Sequence, residues 1–323
     1  MLNVALARFR KNKVLFAALF LFSLSLALRL ILIGGKSLWG DEFYAAGLMG
    51  GSISDLVSGS FRGSPHPPLA FLALRLSAAL FGTSEAGLRA VPALLSAFAV
   101  IPLYLFTAGR LDGRSAFIAG ALWAVSPYAV SLGQEAWLYS SLACIGFTFV
   151  WVADMAWRGV GRACVLVVPL ALAGMLVQHL FLLFVAAGYL LYFTYPSSRR
   201  VRPAKPVITA VLTAVLYSPF APSALAQAAL RSERISASGA DALAFQRLAS
   251  GVPAVLGRLI PGGLSPEPSL GMLSSPVTTG IFTGSVAIVI LSLAVFFTAG
   301  GKDRSLRLWA AGVTVVPFLL FLK

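Results

Sequence analysis

Two adjacent carboxylates, Asp41 and Glu42, stand in Ser37-Leu38-Trp39-Gly40-Asp41-Glu42-Phe43-Tyr44, just after an apolar run long enough to cross a membrane. Such a pair is costly when desolvated, and one member can act as general base while the other holds a metal ion or a sugar hydroxyl. A solvated pair at a helix start, favoured by the helix dipole, is an equally simple use. The segment Ser64-Pro65-His66-Pro67-Pro68-Leu69 fixes a histidine among three prolines, a rigid entry to the apolar stretch that follows. In Phe81-Gly82-Thr83-Ser84-Glu85-Ala86-Gly87-Leu88-Arg89, Thr83 or Ser84 suits a helix cap with Glu85 in the first turn. Glu135 lies in Gly133-Gln134-Glu135-Ala136-Trp137-Leu138-Tyr139, between two apolar runs, and Gln178-His179 adds a further polar turn. Cys144 and Cys164 have no ligand spacing and read as small apolar packers. The chain shows no glycine-rich phosphate loop, no Ser/His/Asp elbow and no zinc spacing.

These residues must be positioned by membrane helices. Of 323 residues, 59% are hydrophobic and 11% charged, with a mean hydropathy of +0.88. That balance excludes a soluble domain, a disordered chain and a disulfide-stapled module. The expected fold class is all-α: a polytopic membrane protein of about nine spans. The apolar runs are Val14–Ile33, Leu88–Ala108, Ser115–Leu132, Leu138–Ala156, Ala163–Val177, Leu180–Tyr195, Val207–Ala221, Thr279–Thr298 and Leu306–Leu322. Pro67–Phe81 is short and interrupted by Arg75, which suits an interfacial or re-entrant helix.

The net charge of +14 would suggest nucleic acid in a soluble protein, but its placement argues for topology. With Pro67–Phe81 not crossing, 15 of the 25 basic residues fall in five short cytoplasmic segments. With it crossing, every later loop flips against the positive-inside rule. The expectation is therefore a cytoplasmic N-terminus, with Asp41, Glu42, His66, Glu135 and His179 toward the external face. No internal repeat or cleavable signal peptide is expected. The expected organisation is a transmembrane core over 1–222 with its first external loop at 34–87, an external loop at 223–277 and C-terminal spans over 278–323.

In order along the chain, W-x-D-E, H-P-P-L, F-G-T-S-E-x-x-x-R, S-P-Y and Q-E-A-x-x-Y resemble the GT-C glycosyltransferases, more narrowly the branch holding protein O-mannosyltransferases and lipid A aminoarabinose transferases. The resemblance covers residues 14 to about 222, as seven spans with two interfacial helices in the first external loop. It implies a donor of the polyprenyl-phosphate-sugar type, a glycan, lipid or protein acceptor, and inverting transfer at the outer face of a bacterial inner membrane. On that resemblance Asp41 is the base, Glu42 supports it and Glu135 is the second acidic site. His66 stands near the acceptor, the carrier phosphate or a metal, and Tyr139 and His179 join the substrate-binding set. Arg62, Arg89, Arg231 and Arg234 are candidates to stabilise the leaving phosphate. No cofactor is demanded; a divalent cation, if bound, would take Asp41, Glu42 and His66.

Two departures stand out. The family's Q-E-A-R-x-Y has arginine where this chain has Trp137, and the sequence stops at Lys323 where relatives continue with more spans and an external domain. Those departures leave two alternatives to an enzyme: a non-catalytic or truncated membrane subunit working with a partner, and a multi-pass lipid or sugar transporter.

Overall fold

The computed structural model describes residues 2–62, 66–195 and 200–225, with side chains described from residue 12 onward, except at 60–62 and Thr194. Expected features beyond Leu225, including Arg231, Arg234 and the spans at 279–298 and 306–322, lie outside the described residues. Every described element is helical: α1 (Leu2–Leu30), α2 (Gly40–Gly47), α3 (Ile53–Arg62), α4 (Leu69–Phe81), α5 (Glu85–Phe98), α6 (Val100–Arg110), α7 (Gly113–Val125), α8 (Pro127–Gly133), α9 (Tyr139–Trp157), α10 (Ala163–Val177), α11 (Leu182–Leu190) and α12 (Ala204–Tyr217). Short 3-10 turns follow α2, precede and follow α11, and follow α12.

Four of the described helical stretches are long and apolar enough to cross a membrane, and a fifth is if the bent pair α7–α8 counts as one span. The run expected at Leu88–Ala108 is a 26-residue stretch, Glu85–Arg110, joining α5 and α6. The run expected at Ser115–Leu132 is broken, with α7 and α8 meeting at 56°. Pro127 causes the break because it has no N–H to donate to Trp123 one turn back. The stretches Ala163–Val177 and His179–Phe193 are apolar but shorter than a full span. Large apolar side chains are left outward along the length of the long helices, Phe16 and Phe20 on α1 and Val211 and Val215 on α12 among them. A bilayer, not water, is the medium such faces need.

The stretch 67–81 is the 13-residue helix α4, too short to cross. Its one charge, Arg75, donates to the carbonyls of Met49 and Gly51, so the guanidinium is spent on the preceding loop. That loop holds a helix more than expected. α3 forms because Ser52 and Asp55 cap one another's backbone: Asp55 N–H donates to Ser52 Oγ at 3.0 Å and Ser52 N–H to Asp55 Oδ2 at 3.3 Å. The turn from α4 into α5 is tight. Ser84 caps α5 by accepting from Gly87 N–H at 3.2 Å, as its position suggested, and a Cβ on Gly87 would come within 2.3 Å of Gly82 O.

Polar clusters gather at opposite ends of the bundle. At the end where α6 and α9 finish, Asp154 is fully buried and receives Arg110 at 2.5 Å, Arg158 and the hydroxyl of Tyr195. Arg110 also lies 4.0 Å over the Tyr195 ring. Removing the one carboxylate strands two guanidiniums, an effect of about 3–5 kcal/mol for a buried pair. Asp154→Asn should therefore lower the melting temperature of detergent-purified protein sharply. A melt unchanged from wild type would contradict this account.

Candidate active site

The other end of the bundle is where α5 and α9 begin, and all described sequence-derived site residues collect there. Arg89 organises it. Its Nη1 donates to Ile33 O at 2.9 Å and Lys36 O at 2.8 Å, and its Nη2 to Ser37 O at 3.2 Å, which folds the chain leaving α1 back over α5. The same guanidinium makes a two-pronged ion pair with Glu42, Nε to Oε1 at 2.8 Å and Nη2 to Oε2 at 2.7 Å. Glu42 also accepts from Ala136 N–H at 2.6 Å and Trp39 N–H at 3.3 Å. One carboxylate thus fastens the start of α2, the first turns of α5 and the turn before α9. Burial pushes the Glu42 carboxyl upward, but Arg89 and these N–H donors outweigh it and hold the group below its ordinary value.

The two adjacent acids therefore have different environments. Glu42 is 1% exposed, whereas Asp41 is half-buried and makes no hydrogen bond or ion pair to another described residue. Arg89, expected among the candidates for the leaving phosphate, is spent on Glu42 and three backbone carbonyls. Arg62 closes α3, and its side chain lies outside the described residues.

Glu135 faces this pair from the turn between α8 and α9. Its Oε2 is buried with no hydrogen-bond partner. Burial and the charges of Glu42 and Asp41 push its carboxyl up to about 7, against the pull of Lys36 and Arg89. Tyr128 and Tyr139 lie within electrostatic reach of Glu135, and Tyr139 also senses Asp41. Asp41, Glu135 and Tyr139 are thus neighbours contributed by three separate elements.

A second polar group adjoins the first through Trp137. The His66 ring meets the Trp137 indole edge-on at 5.2 Å, and Trp137 packs on Phe71 at 5.9 Å. Trp137 itself is an apolar ring buried to 5% exposure. Nδ1 of His66 lies 3.4 Å from Gln178 Oε1, and its charge is felt by His179. His179 Nδ1 bonds the Tyr217 hydroxyl, and His179 Nε2 is buried without a partner. Asp41, Glu42 and His66 as arranged do not form a metal-ligand set. Glu42 is engaged by Arg89, and among the described residues no group of three His, Cys, Asp or Glu side chains is placed to hold a metal ion.

An apolar cavity of about 360 Å³ opens beside these groups, walled by Leu69, Leu72 and Leu76 of α4, Leu95 of α5, Ile145 of α9 and Val177 of α10. Three residues not anticipated from the sequence complete the site: Lys36, Arg29 and Gln134. An arginine inside an apolar span is expensive enough to mark Arg29 in advance. Lys36 stands only a few residues before W-x-D-E.

Comparison with known proteins gives a match over part of the chain. Residues 65–222 match the family model described as dolichyl-phosphate-mannose-protein mannosyltransferase, just under half of the chain. No curated protein and no solved structure matches the chain. The matched stretch holds His66, Arg89, Glu135, Tyr139 and His179 and ends just past α12's trailing turn, whereas Arg29, Lys36, Asp41 and Glu42 precede it. Over that stretch the chain resembles the membrane glycosyltransferases of the GT-C type, and within them the protein O-mannosyltransferase branch.

Proposed function

We propose that the protein transfers a sugar from a polyprenyl-phosphate carrier to an acceptor hydroxyl at the external face of the membrane, with inversion at the anomeric carbon. The observation that carries this reading is the unlike environment of the paired acids. Glu42 is consumed by Arg89, while the Asp41 carboxylate, beside Glu135 and Tyr139, makes no hydrogen bond or ion pair to another described residue. In this scheme Asp41 takes the proton of the acceptor hydroxyl. The acceptor oxygen then bonds to the anomeric carbon as that carbon's bond to the carrier phosphate oxygen breaks. Glu135, neutral below about pH 7, donates a hydrogen bond to the sugar or the acceptor.

With the family's arginine replaced by Trp137, the cations beside the departing phosphate are Lys36 and, when protonated, His66. The apolar cavity walled by α4, α5, α9 and α10 suits the isoprenoid units next to the phosphate. Neither metal nor further cofactor enters this scheme.

The test is transfer by purified protein in lipid nanodiscs from synthetic polyprenyl-phosphate β-mannose to a hydroxyl acceptor, with the product anomer read by NMR. An α-linked product is expected. A retained configuration would overturn the mechanism, and no turnover with any polyprenyl-phosphate sugar would favour the non-catalytic subunit.

A further inference from the structure

Arg29 is fully buried in the C-terminal half of α1, and among the described residues its guanidinium meets no carboxylate. Nε donates to Ser96 Oγ of α5 at 2.7 Å, and Nη1 to Ser25 O at 2.9 Å, Ser25 Oγ at 2.7 Å and Ala124 O at 3.2 Å. Nη2 points at Trp123 O, 3.4 Å away. The last two acceptors identify what the side chain is for. In an unbroken helix Trp123 O would accept from residue 127 and Ala124 O from residue 128, but residue 127 is proline and the chain bends there. Those carbonyls would otherwise be stranded in an apolar medium, at the negative end of the α7 dipole. Arg29 answers both.

The same residue reaches the far end of α8. A Cβ on Gly133 would lie 2.8 Å from Arg29 Nε and 2.8 Å from Ser96 Oγ, so α8 rests directly on the guanidinium stem. Gln134 closes the clasp from the other side, its amide donating to Arg29 O at 3.2 Å and Ile31 O at 2.7 Å. The seven residues of α8 are thus held at both ends by the end of α1, and the next residue after Gln134 is Glu135.

We infer that Arg29 is a positioning residue: by filling the proline break between α7 and α8 it sets the direction of α8 and holds Glu135 at its buried place beside Asp41. The inference rests on Glu135 belonging to the acceptor site, but its test reads Glu135 directly and needs no sugar donor. The groups facing Glu135 are Asp41 and Glu42 of α2, Lys36 before it, Arg89 of α5, Tyr128 of α8 and Tyr139 of α9; all are left in place.

The experiment measures labelling of Glu135 by a hydrophobic carbodiimide, which attacks protonated carboxyls, across pH 5–9 with peptide mass spectrometry. Wild type should show a midpoint near 7. In Arg29→Met the loosened turn hydrates Glu135, and its midpoint should fall by a unit or more, cutting labelling above the midpoint by about tenfold. Arg29→Lys, which can serve one carbonyl but not Ser96 as well, should fall between. Gly133→Ala retains the guanidinium yet forces it and α8 apart, and should shift the midpoint the same way if Arg29→Met does not fold. An unchanged midpoint in whichever variant still melts cooperatively overturns the inference, because a role confined to stability would move the melting temperature alone.

Discussion

Asp41→Asn is expected to lower sugar transfer by about 10²–10⁴-fold, the range lost with a general base, while the protein melts within a degree or two of wild type. The side chain is half-buried and bonds to no described neighbour, so the amide disturbs nothing that holds the fold. The next residue should behave in the opposite way. Glu42→Gln leaves Arg89 without its counter-charge in a nearly dry site and turns one of the two acceptor oxygens into an NH2 donor that faces other N–H donors. A buried guanidinium stripped of its partner costs about 3–5 kcal/mol, so yield and melting temperature should fall first and activity with them. Parallel measurement of transfer rate and thermal melt separates the two. Loss of stability in Asp41→Asn, or full stability in Glu42→Gln, would reverse the roles assigned to the pair.

The second large effect concerns pH. Glu135 is raised from 4.5 to about 7 in the folded protein, so folding favours its neutral form. The stabilising contribution is complete below the unfolded value and is lost as pH rises through the folded one. Its window therefore runs from about pH 4.5 to about 7, with the melting temperature falling across it. Glu135→Gln keeps a neutral donor of similar shape and should flatten that slope. It should likewise remove the alkaline decline in kcat expected above pH 7 if the protonated carboxyl is the donor to the sugar or acceptor. Equal pH slopes in wild type and Glu135→Gln would show that the buried Oε2 is not what titrates.

Both predictions turn on distinctions invisible along the chain. Asp41 and Glu42 are neighbours in sequence and similar in chemistry. Only the arrival of Arg89, forty-seven positions on, assigns one to architecture and leaves the other open. Arg89 could equally have been read as a phosphate ligand. In the fold its donors are shared between Glu42 and the carbonyls of Ile33, Lys36 and Ser37, which must be gathered where the chain leaves α1. Trp137 is a similar case: as a departure from the family pattern it raised the question of lost function, whereas in the fold it fills the space between His66 and Phe71.

What the sequence by itself determined was the class. Apolar runs of span length force helices, because a chain in lipid must satisfy its own backbone. The short, Arg75-bearing stretch forms a helix for the same reason, at 13 residues shorter than the long apolar helices. These are one-dimensional constraints, set by length, hydropathy and local capping. What only the tertiary structure decided was which charges neutralise one another, why Glu135 Oε2 is buried with no hydrogen-bond partner among the described residues, and that Arg29 reaches the carbonyls at the break made by Pro127 almost a hundred residues away. Those outcomes depend on which helix ends meet in space. Ion pairs and desolvation act over a few ångströms, a distance that spacing along the chain does not encode.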